Sequence, residues 1–340
     1  MIETLILGGA FLGLLLLPFL PGVIEMKRPR DDEPLPVVHD NAKDPRFFAA
    51  AFKRMLVPLL DQANELPTIV EIQLRRRERL EIHDELRVPS KERRRGILAA
   101  KADAVIEPAA EVDEVYAAKN ARIEREARVR ALACEGSLLV EQGCKVGRWI
   151  DAEESATIGK DCDLGVSASS GGRLKLDSGC TFQRLWGLPV TTSPTLVEDE
   201  SLTPTARAAE AGLQDSVVWG RDWLSIPSGM TVSRDIVVYG DLEIGAGCVI
   251  RGSIKAHGKV DLGEGARVQG NLISRKAVTV GSRARVHGNL FAEGDVTVST
   301  GAKIGRPGRF KGLYTSTSVS LQPGVTVYGW VVAERGGKVL

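Results

Sequence analysis

Apolar residues in the second half of the chain come in pairs two positions apart, and the pairs return every 18 residues. The clearest unit is Φ-x-x-G-x-x-Φ, where Φ is aliphatic or aromatic. It runs Val140 to Val146, Ile158 to Leu164 and Leu176 to Phe182, and resumes as Ile226 to Val232, Ile244 to Ile250, Leu262 to Val268, Val280 to Val286 and Val298 to Ile304. A further copy, Leu321 to Val327, follows a five-residue slip near Arg306 to Leu313. The fourth position is Gly in seven of the nine copies, with Asp161 and Arg283 as the departures. Alternation such as Val278/Val280 and Leu272/Ser274 is the period of side chains on one side of a strand. An 18-residue unit of short strands cannot bury its own apolar face, so successive units must stack. The pattern predicts an all-β parallel β-helix with three sides per coil, turned at glycine-rich corners such as Gly263-Glu264-Gly265. At about 4.8 Å per coil, nine or more coils give a rod of ~45–50 Å.

Degenerate copies precede the clear ones: Ile106 to Val112 and Ile123 to Val129 keep the spacing of the apolar ends at 17-residue intervals. A helix through Glu124-Arg125-Glu126-Ala127-Arg128 is the competing reading of the second. The solenoid is therefore placed over residues 100–340. Between the copies that start at Leu176 and at Ile226 the phase jumps by 50 residues instead of 18, which reads as a loop at 187–216 extruded from one corner, with Trp186 and Val218 as equivalent positions on either side.

The N-terminal part breaks this pattern. Leu5 to Ile24 is uncharged and mostly apolar, long enough to cross a bilayer core of roughly 30 Å. Lys27, Arg28 and Arg30 follow it, which places the C-terminal side in the cytoplasm by the positive-inside rule. Residues 1–24 are thus expected to form a single-pass anchor in the inner membrane. A monotopic insertion (Pro18 and Pro21 interrupt the span) and a cleaved signal peptide, which lacks a basic start and an A-x-A site here, are the alternatives. Residues 25–45 read as a charged, proline-rich linker. Residues 46–99 read as a helical and charged region, with Phe48, Phe52, Met55, Leu56, Leu59 and Leu60 at helical spacing after Asp44-Pro45. That helix is expected to pack on the first coils, to lie on the membrane surface with Lys53 and Arg54 toward headgroups, or to cap the solenoid end. The basic runs at 75–79 and 91–95 are interleaved with acids and read as solvated helix or loop faces, with contact to anionic lipid as the alternative.

Charge and composition narrow the function. Against 45 basic residues stand 44 acidic ones, and no stacking aromatics accompany the basic runs, so nucleic acid is not an expected partner. Cys144, Cys162 and Cys180 lie 18 apart, and Cys248 holds the same motif position. They form a column whose other members are Met230, Ala266, Ala284, Ala302 and Val325, which reads as packed free thiols. A metal site would require tetrahedral convergence. Of four histidines, His257 and His287 fall at coil corners. They are the candidate bases if the chain were a trimeric hexapeptide-repeat acyltransferase of left-handed type. No phosphate loop, nucleophile elbow or metal-ligand spacing is present, and no cofactor is expected.

The phrases Val268-Gln269-Gly270-Asn271-Leu272-Ile273-Ser274 and Val286-His287-Gly288-Asn289-Leu290-Phe291-Ala292, preceded by Leu262-Gly263-Glu264-Gly265-Ala266-Arg267, resemble the bactofilins, polymer-forming bacterial cytoskeletal proteins. The resemblance is clearest over residues 234–305. It implies a right-handed parallel β-helix, no catalysis, and nucleotide-independent end-to-end polymerisation at the membrane. The extra N-terminal coils, the long insertion and the anchor depart from the family pattern. The expected function is a membrane-anchored scaffold that associates with itself and offers its faces to envelope proteins. The expected contacts are Val327, Trp330, Val331 and Val332 at an open C-terminal end, with Leu290 and Phe291 on the repeated G-N-Φ-Φ side.

Overall fold

A computed structural model describes residues 44–63, 68–73, 77–194, 217–220 and 222–340. The expected anchor, nearly all of the linker and residues 195–216 lie outside the described residues. Among the described residues no helix is long and apolar enough to cross a membrane. Residues 45–340 form one compact unit, a parallel β-solenoid of about 13 turns with one helix on its side.

The C-terminal half follows the periodicity closely. Leu242 lies beside Val260, which lies beside Val278, then Val296, then Val319, each pair in parallel register. Two further ladders run through Ile236, Ile254, Leu272, Leu290 and Leu313, and through Val249, Arg267, Arg285 and Lys303. Inward residues such as Val260, Leu272, Val280 and Leu290 are 0% exposed. The fourth motif position sits at a corner with positive φ throughout: Gly229, Gly247, Gly265, Gly301 and Gly324 lie at φ 65° to 75°, and Arg283 takes φ 57°. L-residues pay roughly 1–2 kcal/mol there and glycine does not.

The N-terminal half uses the same corner with other residues. Lys91, Ala109, Glu126 and Asp161 occupy it at φ 56° to 61°, and Gly143 and Gly179 at 73° and 80°. Ile106 to Val112 and Ile123 to Val129 are therefore true coils: Ala104–Ile106 pairs with Ala121–Ile123, and Glu111–Ala117 with Arg128–Cys134. The solenoid also begins earlier than residue 100. Strand β1 (Thr68–Gln73) pairs antiparallel with β2 (Arg77–His83), and β2 pairs parallel with Arg93–Ala100. Among the described residues of the region read as helical and charged, only α1 (Phe47–Gln62) is helix. The later basic run opens the strand Arg93–Ala100, where Arg93, Arg94 and Arg95 are exposed; Arg93 pairs with Glu111, and Arg94 with Glu81 and Glu92.

Helix α1 runs along one side of this half. Ala49, Phe52, Leu56 and Leu60 are buried at intervals of three and four, the stripe that one helix face presents. They pack on Ile97, Ala99, Tyr116 and Ala133, outward residues of successive coils, with Phe52 edge-on to Trp149 at 5.5 Å. Each large side chain so buried contributes about 1.5–3 kcal/mol. The helix thus covers a side of the solenoid, not an end, and its apolar face is not available to a membrane.

The second half does not continue the first. Leu174–Leu176 is covered by residues 190–192, and the strand Thr181–Thr192 is covered in turn by Thr326–Val339, running antiparallel. Gly187 to Thr192 are therefore strand, not the start of an extruded corner loop. Residues 195–216 connect two solenoids of opposite polarity that meet at their C-terminal coils. A repeat phase read along a sequence is identical whether a solenoid continues or restarts at a distance, so the phase jump alone could not distinguish the two.

Candidate assembly surfaces

The joint between the halves engages the whole perimeter of both terminal coils. Thr181 pairs with Lys338, Leu185 with Val331, Trp186 with Trp330 and Val190 with Val327. At the first corner the Gly179 N–H donates to the Val339 carbonyl at 2.9 Å, and at the last the Thr192 hydroxyl donates to the Gln322 carbonyl at 2.7 Å while accepting from the Val325 N–H at 2.9 Å. The ring of Phe182 lies over Gly337, where a Cβ would come within 2.3 Å of it. Trp186 meets Trp330 edge-on at 4.9 Å and Phe310 at 5.8 Å. One hydrophobic core runs without interruption through Phe182, Leu185 and Val190 into Val325, Val327 and Val331.

Val327, Trp330, Val331 and Val332, the expected contacts of an open C-terminal end, all lie in this joint. Val327 and Val331 are 0% exposed, and the strand edge that would meet another copy is paired within the chain. The cluster of Phe182, Trp186, Tyr328 and Trp330 was a legible sign, since the three coils before Trp186 hold Ala133, Asp151 and Ser169 in its column.

Two ends of the rod remain, and their chemistry differs. At the end formed by β1 and β2, the residues in register with the core positions Leu98 and Ala100 are Glu81 and His83. Glu81 is held by Arg79 Nε at 3.1 Å and Arg94 at 3.5 Å, with His83 Nε2 at 3.7 Å. Beneath this charged layer Leu86 and Val88 are buried. At the other end, Trp223–Ile226 and Thr231–Val232 pair with the next coil on one edge and with no described strand on the other. Leu224, Met230 and Val232 are only partly buried, whereas Leu242, Cys248 and Ile250, the same positions one coil further in, are at most 1% exposed. Trp223 is 64% exposed.

The side faces are mostly polar. Leu290 belongs to the core at 0% exposure and is not a surface contact, because the first Φ of G-N-Φ-Φ points inward. Phe291 points outward, next to Ile273 and stacked on Tyr314 at 5.1 Å. On the opposite half, Arg46 grips the buried Asp151 at 2.7 and 2.8 Å and Glu153 at 2.8 Å, and Lys53 reaches Glu135, Asp151 and Glu153 within 3.5 Å. The Arg46 guanidinium holds the Glu153 carboxyl down at about 2. Lys53 thus faces carboxylates, not headgroups.

The cysteine column is confirmed as core. Cys144, Cys162, Cys180 and Cys248 each donate their thiol to a backbone carbonyl of the preceding coil at 3.0–3.1 Å. Burial pushes the Cys134 thiol up to about 12, and the Cys248 thiol upward as well. Among the described residues no group of three or more His, Cys, Asp or Glu is placed to hold a metal ion. His257 lies against Tyr239 at 5.1 Å. His287 is half-buried, and burial with the nearby Arg306, Arg285 and Arg267 lowers its pKa, the direction of a packed neutral imidazole.

These features define a parallel β-solenoid whose exposed surfaces are coil ends and flat faces. Residues 224–332 match the family model Bactofilin, described as polymer-forming cytoskeletal, and the chain carries a bactofilin domain there. The match encloses the stretch 234–305 and covers nearly all of the C-terminal solenoid. No curated protein and no solved structure matches the chain.

Proposed function

We propose that the chain is a structural scaffold that is held at the inner membrane by residues 5–24 and associates with itself in the cytoplasm through a solenoid end, without nucleotide. The observation that carries this reading is the apolar coil end at residues 223–232, with strand edges that no described strand pairs, on a domain of a polymer-forming family. Unpaired edges template further pairing, and the partly buried Leu224, Met230 and Val232 supply apolar area to be covered by it. The outward stripe of Ile273, Phe291 and Tyr314 is the face we assign to envelope partners. Sedimentation of the detergent-solubilised full chain, with and without ATP or GTP, tests the reading. Concentration-dependent assembly that ignores nucleotide is expected, and a requirement for nucleotide would refute it. Extraction of membranes with alkaline carbonate tests the anchor, which is expected to keep the chain in the pellet.

A further inference from the structure

The joint shows what a solenoid end of this chain accepts: another solenoid end, antiparallel, paired on every side of the coil. In this chain the C-terminal end of the bactofilin domain is already filled in that way by the N-terminal solenoid. The far end of that N-terminal solenoid is sealed by Glu81, His83, Arg79 and Arg94 at or around core positions, the polar outer layer that ends a stack of repeats. Among the described residues one apolar end remains.

We propose that the N-terminal solenoid is a built-in cap on the bactofilin domain, and that the open end at residues 223–232 takes the same end of a second copy, closing a dimer that cannot grow. This rests on the self-association proposed above and limits its extent. A head-to-tail contact would require the C-terminal coil, which is occupied, so among the described residues the apolar end left to meet 223–232 is its own counterpart. Two-fold contact of identical ends places like strands antiparallel, and antiparallel pairing satisfies N–H and C=O groups on both edges equally. The connecting segment is a poorer occupant by composition: it carries Glu198, Asp199 and Glu200 and no aromatic residue, whereas the end presents Leu224, Met230 and Val232.

Sedimentation velocity of the full chain in non-ionic detergent, over a concentration series and with negative-stain images, distinguishes the outcomes. The expected result is a monomer–dimer equilibrium of 36.7 kDa chains, imaged as single and doubled rods with no longer strings. Met230→Glu and Val232→Asp each place a charge in the contact and are expected to weaken dimerisation by about tenfold or more, ~1.4 kcal/mol. If either variant also lowers the melting temperature, Trp223→Ala decides, because Trp223 is exposed in the single chain and its loss leaves the core intact. End-joined strings of three or more copies would overturn the cap while leaving self-association standing. Monomers at every concentration would overturn both. A dimer unmoved by all three substitutions would overturn the location of the contact.

Discussion

The two solenoids share one coil geometry and differ in what covers them. The N-terminal one is clothed: a helix along one side, an ion-pair cluster at Arg46, Lys53 and Asp151, and a charged outer coil. The C-terminal one, which carries the bactofilin match, has glycine at the fourth motif position of five of its six copies and presents an apolar end. The difference teaches that a stack of coils needs very little to fold, and that the additions to the first stack serve to close surfaces. A closed stack docked on an open one converts an extensible rod into one of defined length.

The largest expected effect breaks the comparison at the joint. Phe182→Ala empties the space over Gly337 and should cost about 3–5 kcal/mol, the range for a buried Phe. Because the core is continuous through the joint, hydrogen exchange should rise in Thr326–Val339 as well as in Thr181–Thr192. Exchange confined to the first solenoid would show that the halves hold together without this contact.

Asp151→Ala tests the clothing. It removes the carboxylate between two partly buried cations, a change that costs about 3–5 kcal/mol when both partners are fully enclosed. Arg46 and Lys53 keep Glu153 and some solvent, so roughly 2–3 kcal/mol is expected here. The loss should appear as faster exchange in α1 with the C-terminal solenoid unchanged. Asp151 also accepts the Ser169 hydroxyl at 2.7 Å, so Ser169→Ala should have a smaller effect in the same direction.

Most of the fold was legible because burial and corner chemistry repeat: Val260, Val278 and Val296 announce a ladder by position alone. The start of the solenoid was not, since Arg94 stands where the motif wants an apolar residue and Lys91 where it favours glycine. Polarity was also hidden, because Trp186 is in phase with Val218 yet pairs with Trp330. The open end was within reach of the sequence only once the other end was known to be filled. The phase said nothing of which coil faces water.

Acid should undress the first solenoid before it affects the second. The Glu153 carboxyl is held down at about 2 from 4.5, so its contribution is fully present above pH ~4.5 and disappears as pH falls toward 2. Glu153 is half-exposed, and the effect is correspondingly modest. Exchange in α1 should accelerate over that window, and Glu153→Gln should flatten the dependence. An α1 whose protection is the same at pH 5 and pH 2.5 would show that its buried apolar stripe holds it without Glu153.

The smallest effects bear on the corners, where the halves differ most in composition and least in shape. Gly265 lies at φ 65° with nothing within 4 Å of an added Cβ, so Gly265→Ala meets only the strain of a left-handed L-residue, about 1 kcal/mol. Arg283, one coil on, already bears that strain at φ 57°. Arg283→Gly relieves it, but glycine widens the unfolded ensemble by ~0.4–1 kcal/mol and the exposed pair with Glu264 is lost. The net change should fall within about 0.5 kcal/mol of zero by chemical denaturation. If Gly265→Ala were instead as costly as Phe182→Ala, glycine would be a requirement of the coil and not a convenience. The coils turning at Ala109, Glu126 and Asp161 would then have to draw their stability from α1 and the joint, and Asp151→Ala should unfold the N-terminal stack outright.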